Sequence, residues 1–506
     1  MTVEEFDVAV IGGGPAGSTV GRLLVEWGHS VLILCRPSGS QPALAESLPP
    51  SSRKLFDHLG ILGQVDEAGF YRSSGNTVWW GEAAGRVETF PGSSENWGYQ
   101  VLRSDFDHLL LQLAGVSGAC VHAHGTVSQV DLETGGPARL EYQTGDGKKG
   151  QVTALFVLDC SGRAGVLARR NLRKREPGFN TFAIAGVWER ESGWQLEDES
   201  HTLVETYRNG WAWSIPPSPA RRYFTVMLDP ETTPIQRSGG LKSTYLAEIE
   251  KTTHFRRLLM GSRLQTPPWG CDASLYSARR FAGPQFLLVG DAGSFIDPLS
   301  SFGVKKALAS AWMAAVVVNT CLRRPEMANA ALEFFSNREQ HVYLSYLKQS
   351  TRFFAEAAAH HPHPFWNGRS RPRVEANLWL PDEEALRQDP EVLAALDALK
   401  QGESIRLRRS QTVSVQKGAG IQGREVVLEE VLVGPNLPGV RFLGGVDLPV
   451  LVGMAAKHRQ VPDLFEAYNR ICPPVELPNF LGALSVLLAK GILIDQSSLG
   501  LDIVPG

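Results

Sequence analysis

Apolar and polar positions along the chain divide it into recognisable elements. Phe6-Asp-Val-Ala-Val-Ile11 becomes continuously apolar and predicts a buried strand. Residues 16–27 predict a helix with small residues on one side, and Ser30-Val-Leu-Ile-Leu34 predicts the next strand. These three segments make a compact βαβ unit. A loop rich in Ser, Gly and Pro follows at 37–50, then a helix at about 51–61. Between 76 and 230 short alternating runs predict strands: Leu140-Glu-Tyr-Gln-Thr144, Thr181-Phe-Ala-Ile-Ala-Gly-Val-Trp188 and Tyr223-Phe-Thr-Val-Met-Leu228. Some of these are expected to form a second sheet inserted into the first domain. Phe286-Leu-Leu-Val-Gly-Asp291 returns to a buried strand, and 304–322 reads as one long helix. The Pro/His-rich stretch 360–373 is the best domain boundary. Beyond it an acid-rich amphipathic helix is expected at 382–400, strands at 404–433, and three helical segments within 447–495 that end on Gly491-Ile-Leu-Ile494.

Composition narrows the class. The chain has 506 residues, enough for two or three domains at about 100–200 residues each. Apolar residues at 43% and charged residues at 20% describe a globular protein. A net charge of −3 argues against nucleic acid or an anionic membrane as a general partner. Cys35, Cys120, Cys160, Cys271, Cys321 and Cys472 form no CxxC pair, so neither a disulfide framework nor a zinc site is expected. The longest apolar run, Ala311–Val318, has eight residues, whereas a membrane span needs about 20. The acidic first residues lack the basic start and apolar block of a secretory signal. A soluble, cytoplasmic protein is the resulting expectation.

The first candidate chemistry is Gly12-Gly-Gly14-Pro15-Ala16-Gly17, placed directly after the first strand and opening the first helix. Gly12 suits a tight turn, Gly14 lets a pyrophosphate approach the backbone, and Gly17 allows close packing of helix on strand. The helix N-terminus then presents its partial positive charge to the phosphates. Cys35 and Arg36 stand at the end of the second strand, where an acid usually binds ribose hydroxyls. The adenosine end must therefore be held differently.

Two distant segments extend the pattern: Val101-Leu-Arg103-Ser-Asp-Phe-Asp107 and Gly290-Asp291-Ala-Gly-Ser-Phe-Ile-Asp297-Pro298. With the glycine motif, and with Leu158-Asp-Cys-Ser-Gly-Arg163 between them, they resemble the FAD-binding fold of aromatic hydroxylases and flavin-dependent halogenases. The resemblance implies that Asp291 holds the ribityl chain, that Arg103 approaches the cofactor from the side, and that the segment after Pro298 packs along the isoalloxazine ring. Gly210-Trp211-Ala-Trp213-Ser-Ile215-Pro216 is similar to the WxWxIP motif of flavin-dependent halogenases. Glu46-Ser47-Leu-Pro49 and Asp297-Pro298-Leu-Ser300-Ser301-Phe-Gly303 are similar to their other flavin-contacting stretches. The tryptophans of that motif wall off the flavin. Trp211 and Trp213 also share one strand face, so a core role suits them equally.

Halogenases of this type use a lysine that takes up the oxidant made from halide by a flavin C4a-hydroperoxide. The matching stretch here is Phe70-Tyr-Arg72-Ser-Ser-Gly75-Asn-Thr-Val-Trp-Trp80-Gly81, and no lysine occurs between Lys54 and Lys148. Arginine stays protonated and is no amine nucleophile. The same stretch, together with Ser47-Leu-Pro49-Pro50, the 297–308 segment and Pro364-Phe-Trp-Asn-Gly-Arg369, resembles halogenase-like flavoproteins that modify protein tryptophan during cysteine tryptophylquinone maturation.

These readings combine into one expectation. The fold is mixed α/β: a Rossmann-like FAD-binding domain of the aromatic-hydroxylase type at 1–370, with an inserted β-sheet substrate part at about 76–100 and 175–280. A C-terminal accessory domain at 371–506 is winged-helix-like at about 440–495. The resemblance implies FAD held by Gly12, Gly14, Pro15, Ala16, Gly17, Arg36, Glu46, Ser47, Arg103, Gly290, Asp291, Pro298 and Gly303. It also implies a substrate pocket with Trp80, Trp211, Trp213 and Pro216. Arg72, Ser301 and Lys306 are candidates for the flavin pocket. The expected activity is monooxygenation of an electron-rich aromatic, tryptophan or indole above all, free or within a peptide or protein. Halogenation is the first alternative, and a maturation factor with a peptide-binding C-terminal domain is the second. Electrons come from a flavin reductase or NAD(P)H. His360-His361-Pro-His363 reads as loop histidines rather than a metal site. The last 70 residues or so carry more acid than base, which removes the electrostatic footprint of a DNA-binding winged helix.

Overall fold

The computed structural model describes residues 3–36, 43–81, 84–92, 96–132, 136–233, 235, 240–371, 386, 389–402, 404–434 and 437–496. It divides into two compact units, Met1–Val374 and Glu375–Gly506.

The first unit is built on a parallel core. Glu4–Ile11 lies between Val31–Leu34 and Lys149–Asp159, and Cys120–His122 and Phe286–Leu288 extend the sheet on either side. Apolar residues fill these strands because both faces are covered, and Val8, Ala9, Val10, Leu32 and Ile33 are fully buried. Ile11 pairs with Leu34 on one side and Asp159 on the other, so three strands end at one level. The loops that follow them, at Gly12, Cys35 and Cys160, emerge together. This is the switch point of an open α/β sheet, where ligands bind. The other half of Lys149–Asp159 pairs with Ala138–Gln143, which pairs in turn with Thr126–Asp131. The alternating run at 140–144 thus belongs to the nucleotide sheet and not to the inserted one.

Two helices back this sheet. Pro15–Glu26 packs on Gly303–Arg323, the helix expected at 304–322. The longest helix, Ala328–His360, has no counterpart among the elements expected from the sequence. It buries Ala331, Phe335, Glu339, Tyr343, Leu347 and Thr351, a row spaced by four residues.

A second, mainly antiparallel sheet runs in the order Arg263–Leu264, Phe182–Glu189, Arg221–Leu228, Gly210–Ser218, Thr202–Tyr207, Gly75–Trp79, Arg86–Thr89. Alternation sorts its side chains. Ile184, Ala212, Phe224 and Val226 enter one core, while Ala183, Trp211 and Met227 face the other. Gly98–Leu102 is not part of this sheet. It pairs with Ala45–Leu48 and Tyr71–Ser73 in a small sheet of three, because the chain changes sheets at Ser74, whose hydroxyl is bound by Asp198.

In the second unit Pro390–Gln401, Leu448–Ala455, Val461–Ile471 and Leu477–Ala489 are helices around a core of Leu451, Leu464, Tyr468, Phe480 and Leu484. Leu493–Asp495 pairs with Leu407–Arg409, and Ser414–Gln422 forms a hairpin with Glu425–Gly434. Part of the helix expected at 382–400 lies outside the described residues. Among the described residues no helix is long and apolar enough to cross a membrane.

One buried cation fixes the second sheet. Arg222 is fully buried and donates to Ser214 Oγ at 2.9 Å, Glu199 O at 2.9 Å and His201 O at 2.6 Å. Burial pulls its guanidinium down to about 9. Replacing Arg222 by Met strands two carbonyls and a hydroxyl. The expected cost is about 3 kcal/mol in urea unfolding. Trp213 and Ile215 flank Ser214 and line a cavity between this sheet and the ends of the parallel strands, so affinity for the expected flavin should fall with it.

Candidate FAD site

Beyond the ends of the parallel strands lies a cavity of about 610 Å³. Its floor is the glycine turn. Gly12 has φ +109°, and a Cβ there would meet Cys160 O at 2.4 Å. A Cβ on Gly17 would sit 1.8 Å from Gly12 O, so the helix rests directly on the turn. A Cβ on Gly13 would strike the Cys35 sulfur at 2.3 Å. Cys35, which stands where an acid usually serves ribose, is instead a buried packing group whose thiol burial pushes up to about 11. Gly14 differs from these three. A Cβ there meets only Asp107 Oδ2 at 3.8 Å and Arg103 Nη2 at 3.9 Å, so the protein leaves room on the side facing the cavity. The first amides of Pro15–Glu26 have no side-chain cap and point toward that space.

Charged groups line the next stretch. Arg103 begins the Arg103–Val116 helix and pairs with Asp107 one turn on, Nε to Oδ1 at 2.9 Å and Nη2 to Oδ2 at 3.0 Å; it also reaches Glu46 at 3.4 Å. Burial works against its charge, but Asp107, Glu46 and Asp291 together raise its pKa. Burial likewise raises the Glu46 carboxyl, which Arg103 pulls back down. Asp291 lines the cavity from the turn after Phe286–Leu288. Cys160, Ser161 and Arg163 complete this part, their loop shaped by Asp159, whose carboxylate accepts from the amides of Ser161, Leu167 and Ala168.

The far end is mostly apolar. Ala183, Ala185, Trp213, Ile215 and Met227 come from one face of the second sheet, opposite Phe295, Ile296, Pro298, Ser301 and Gly303. Small residues on Phe182–Glu189 leave the space that larger ones would fill. Ser301 holds φ +52°, a left-handed conformation rare outside glycine. Asp297 is the buried carboxyl of this wall. Its Oδ1 accepts Leu299 N–H at 3.0 Å, and burial raises it to about 6.

The structure brings Gly12, Gly14, Pro15, Ala16, Arg36, Glu46, Arg103, Asp291, Pro298, Ser301, Gly303 and Trp213 onto one cavity surface. Gly17, Ser47 and Gly290 lie behind it. Five further candidate residues lie off this surface. Arg72 is exposed and outside the cavity: its strand turns it away, and its guanidinium stacks 3.9 Å from the Trp97 ring centroid, with Arg53 at 4.4 Å from the same centroid. Lys306 does not line the cavity either; it points into the interior and pairs with Asp291 at 3.3 Å. Trp80 and Trp211 belong to an aromatic core with Trp366, in which the Trp80 Nε1 donates to Phe353 O, and Pro216 also lies off the wall. His361 is spent on Thr206 and the Trp366 face, and no metal-holding cluster occurs among the described residues. Sequence reasoning did not single out Asp107, although its spacing of four from Arg103 on a helix is the signal for such a pair.

Gly14→Val should fold normally and lose FAD affinity at least about tenfold in a fluorescence titration, whereas Gly17→Val should fail in both. Asp297 gives a second expectation. Its folded pKa of about 6 exceeds the ordinary 3.8, so the folded state binds a proton more tightly than the unfolded chain. Stability is therefore lost as pH rises from about 4 to about 6. Asp297→Asn keeps the acceptor for Leu299, and in the FAD-free protein it should gain about 2–3 kcal/mol over wild type at neutral pH and little at pH 4, read from urea curves.

The cradle fits FAD: a phosphate-sized opening at Gly14, a helix N-terminus, a carboxylate further along, and a flat apolar end. The sequence model for the FAD binding domain matches residues 5–323. A tryptophan 2-halogenase from Chondromyces crocatus is 28% identical over 379 residues, covering 74% of this chain and 72% of that protein. The crystal structure of the flavin-dependent halogenase CmlS superposes with a TM-score of 0.80 at 22% identity over 98% of this chain and 96% of its own. The peptidyl tryptophan dihydroxylase QhpG superposes at 0.67 and 22% identity, covering 96% and 99%. The chain belongs to the FAD binding domain family, as a flavin-dependent oxidoreductase whose cofactor is FAD.

Proposed function

We propose that this enzyme substitutes an electron-rich aromatic ring, with tryptophan or indole favoured, in the manner of the flavin-dependent halogenases it resembles. The supporting observation is a single cavity that runs from the glycine turn to an apolar wall carrying one buried carboxyl. The curated relative named above is a tryptophan halogenase.

Bound FAD, once reduced, supplies the oxidising equivalent with molecular oxygen. The chain's residues do the rest. The Gly12–Gly17 turn and the first amides of its helix bind the pyrophosphate. Arg103, braced by Asp107 and Glu46, guards the side, and Asp291 receives the ribityl hydroxyls. Pro298 to Gly303 would lie along the ring. Trp213, Ile215 and Phe295 exclude water from the apolar end. Asp297 holds its Oδ1 on Leu299 N–H, which leaves Oδ2 to accept the proton released when the substituted ring regains aromaticity.

A second reading, hydroxylation, has its own observation. Among the described residues no lysine lines the cavity: position 72 is an arginine and lies outside it, and Lys306 is turned inward onto Ser294 and Asp291. Without a lysine to take up the halogen, oxygen passes straight to the ring. A peptide or protein tryptophan is then a fitting substrate, with electrons delivered by a separate reductase or by NAD(P)H.

The test is a mass-spectrometric assay with FAD, a flavin reductase and NADH, offering tryptophan, indole and tryptophan-containing peptides with and without bromide. The expected product carries halogen in place of a ring hydrogen and forms only with halide. Oxygen insertion independent of halide establishes the second reading. No product from any aromatic overturns both.

A further inference from the structure

Behind the flavin carboxylate lies a buried charge cluster that the chemistry above does not use. Asp291 Oδ1 is 3.3 Å from the Lys306 ammonium yet accepts no hydrogen bond. The protons of Lys306 go instead to Ser294, to its carbonyl and, at 3.3 Å, to its Oγ. The lysine side chain is 2% exposed, on the inner face of Gly303–Arg323. Facing it from Ala328–His360 is Glu339, 3% exposed, with Oε2 lacking any partner. Glu339 also bonds the Ser310 hydroxyl, and Ser310 Oγ accepts Gly290 N–H at 3.0 Å. Two lines thus run from Glu339 to the same turn: through Lys306 to Asp291, and through Ser310 to Gly290.

A lysine this buried needs a reason. The Asp291 carboxylate at 3.3 Å supplies one, and the buried Glu339 carboxyl, with Oε2 unbonded, also feels the ammonium's charge. We propose that Lys306 is a positioning residue that pins Asp291 from behind, and that Glu339, a second buried carboxyl in the field of that ammonium, couples the charge on the flavin to a proton held inside the fold. The inference rests on FAD binding alone, whichever substituent the aromatic ring receives.

The electrostatics give a sign. Burial raises Glu339 to about 7, while Lys306, the Ser310 bond and Arg338 act to lower it. Below that pH Glu339 is neutral, and Lys306 and Asp291 balance. Above it the cluster carries a net negative charge in a low-dielectric interior. Two-electron reduction by dithionite, which is oxidised to sulfite, places two electrons and one proton on the flavin and leaves it anionic. A negative cluster opposes that, so reduction draws a further, fractional proton onto Glu339 wherever it is ionised. The flavin potential must therefore fall more steeply with pH around 7 than the flavin's own proton requires.

The experiment is a spectroscopic dithionite titration of the FAD-loaded protein against reference dyes from about pH 5.5 to 8.5, a window around the Glu339 value, with wild type, Glu339→Gln, Lys306→Met and Lys306→Arg. Wild type and Glu339→Gln should coincide at the acid end and separate at the alkaline end, wild type lying at the lower potential. Lys306→Met should weaken FAD binding about tenfold or more, and Lys306→Arg should restore most of it. Parallel potential curves for wild type and Glu339→Gln overturn the coupling. Unchanged FAD affinity in Lys306→Met overturns the positioning role. Should Lys306→Met not fold, Glu339→Gln decides the coupling, and Lys306→Gln, made alone and with Asp291→Asn, decides the positioning: a loss of FAD affinity that is absent in the Asp291→Asn background sustains it, and an equal loss in both backgrounds ends it.

Discussion

The contact between Gly17 and the carbonyl of Gly12 is the constraint from which the rest of the first unit follows. A side chain at Gly17 would overlap that oxygen, at 1.8 Å. The helix can therefore lie this close to the turn only with hydrogen in that place. Close approach brings its first amides to the carboxyl ends of three parallel strands that finish at one level. Everything that meets there, the Cys35 thiol beneath Gly13 and the Asp159-bound loop beside Gly12, is packed against backbone. The cofactor end of the cavity is accordingly walled by main chain and small residues. The apolar end is walled largely by side chains from a different sheet. One end is fixed by geometry and the other is open to variation.

Buried charge is the second organising principle. Arg222, Lys306 and Arg369 lie inside the first unit, each tied to carbonyls, hydroxyls or a carboxylate. Such groups lose solvation that Coulomb attraction only partly returns. What they gain is position. Arg222 bonds two strands and a loop at once. Arg369 joins Asn180, Asp229 and Phe365, linking the end of the 364–367 turn to the second sheet. Lys306 spans the turn that carries Asp291.

The nucleotide half was legible because its signals are local. Strand, glycine turn and helix follow one another without interruption, and a strict spacing decides them. The Gly303–Arg323 helix was legible for the same reason. The Ala328–His360 helix was not, since its buried row steps by four and includes Glu339 and Thr351, which weaken the apolar periodicity. Arg72 shows another limit. Position in a motif gave it a place by the flavin, but a strand offers two faces, and Trp97 drew the guanidinium to the other one. Trp213 and Trp211 share a strand face, yet only Trp213 reaches the cavity, because Trp80 packs edge-on against Trp211. Which residues share a face is encoded in spacing; what covers that face is decided by distant segments.

Trp213 lies on the cavity wall, 5.6 Å edge-on from Trp211, and Trp211 lies 6.5 Å from Trp80, which is 5.8 Å from Trp366. Four indoles are therefore linked ring to ring from the interior to the edge of the cofactor space. Excitation passes readily between indoles this close, and a bound isoalloxazine would absorb where indole emits. The protein thus carries its own optical gauge, in which the brightness of the aromatic core reports whether the cavity is filled.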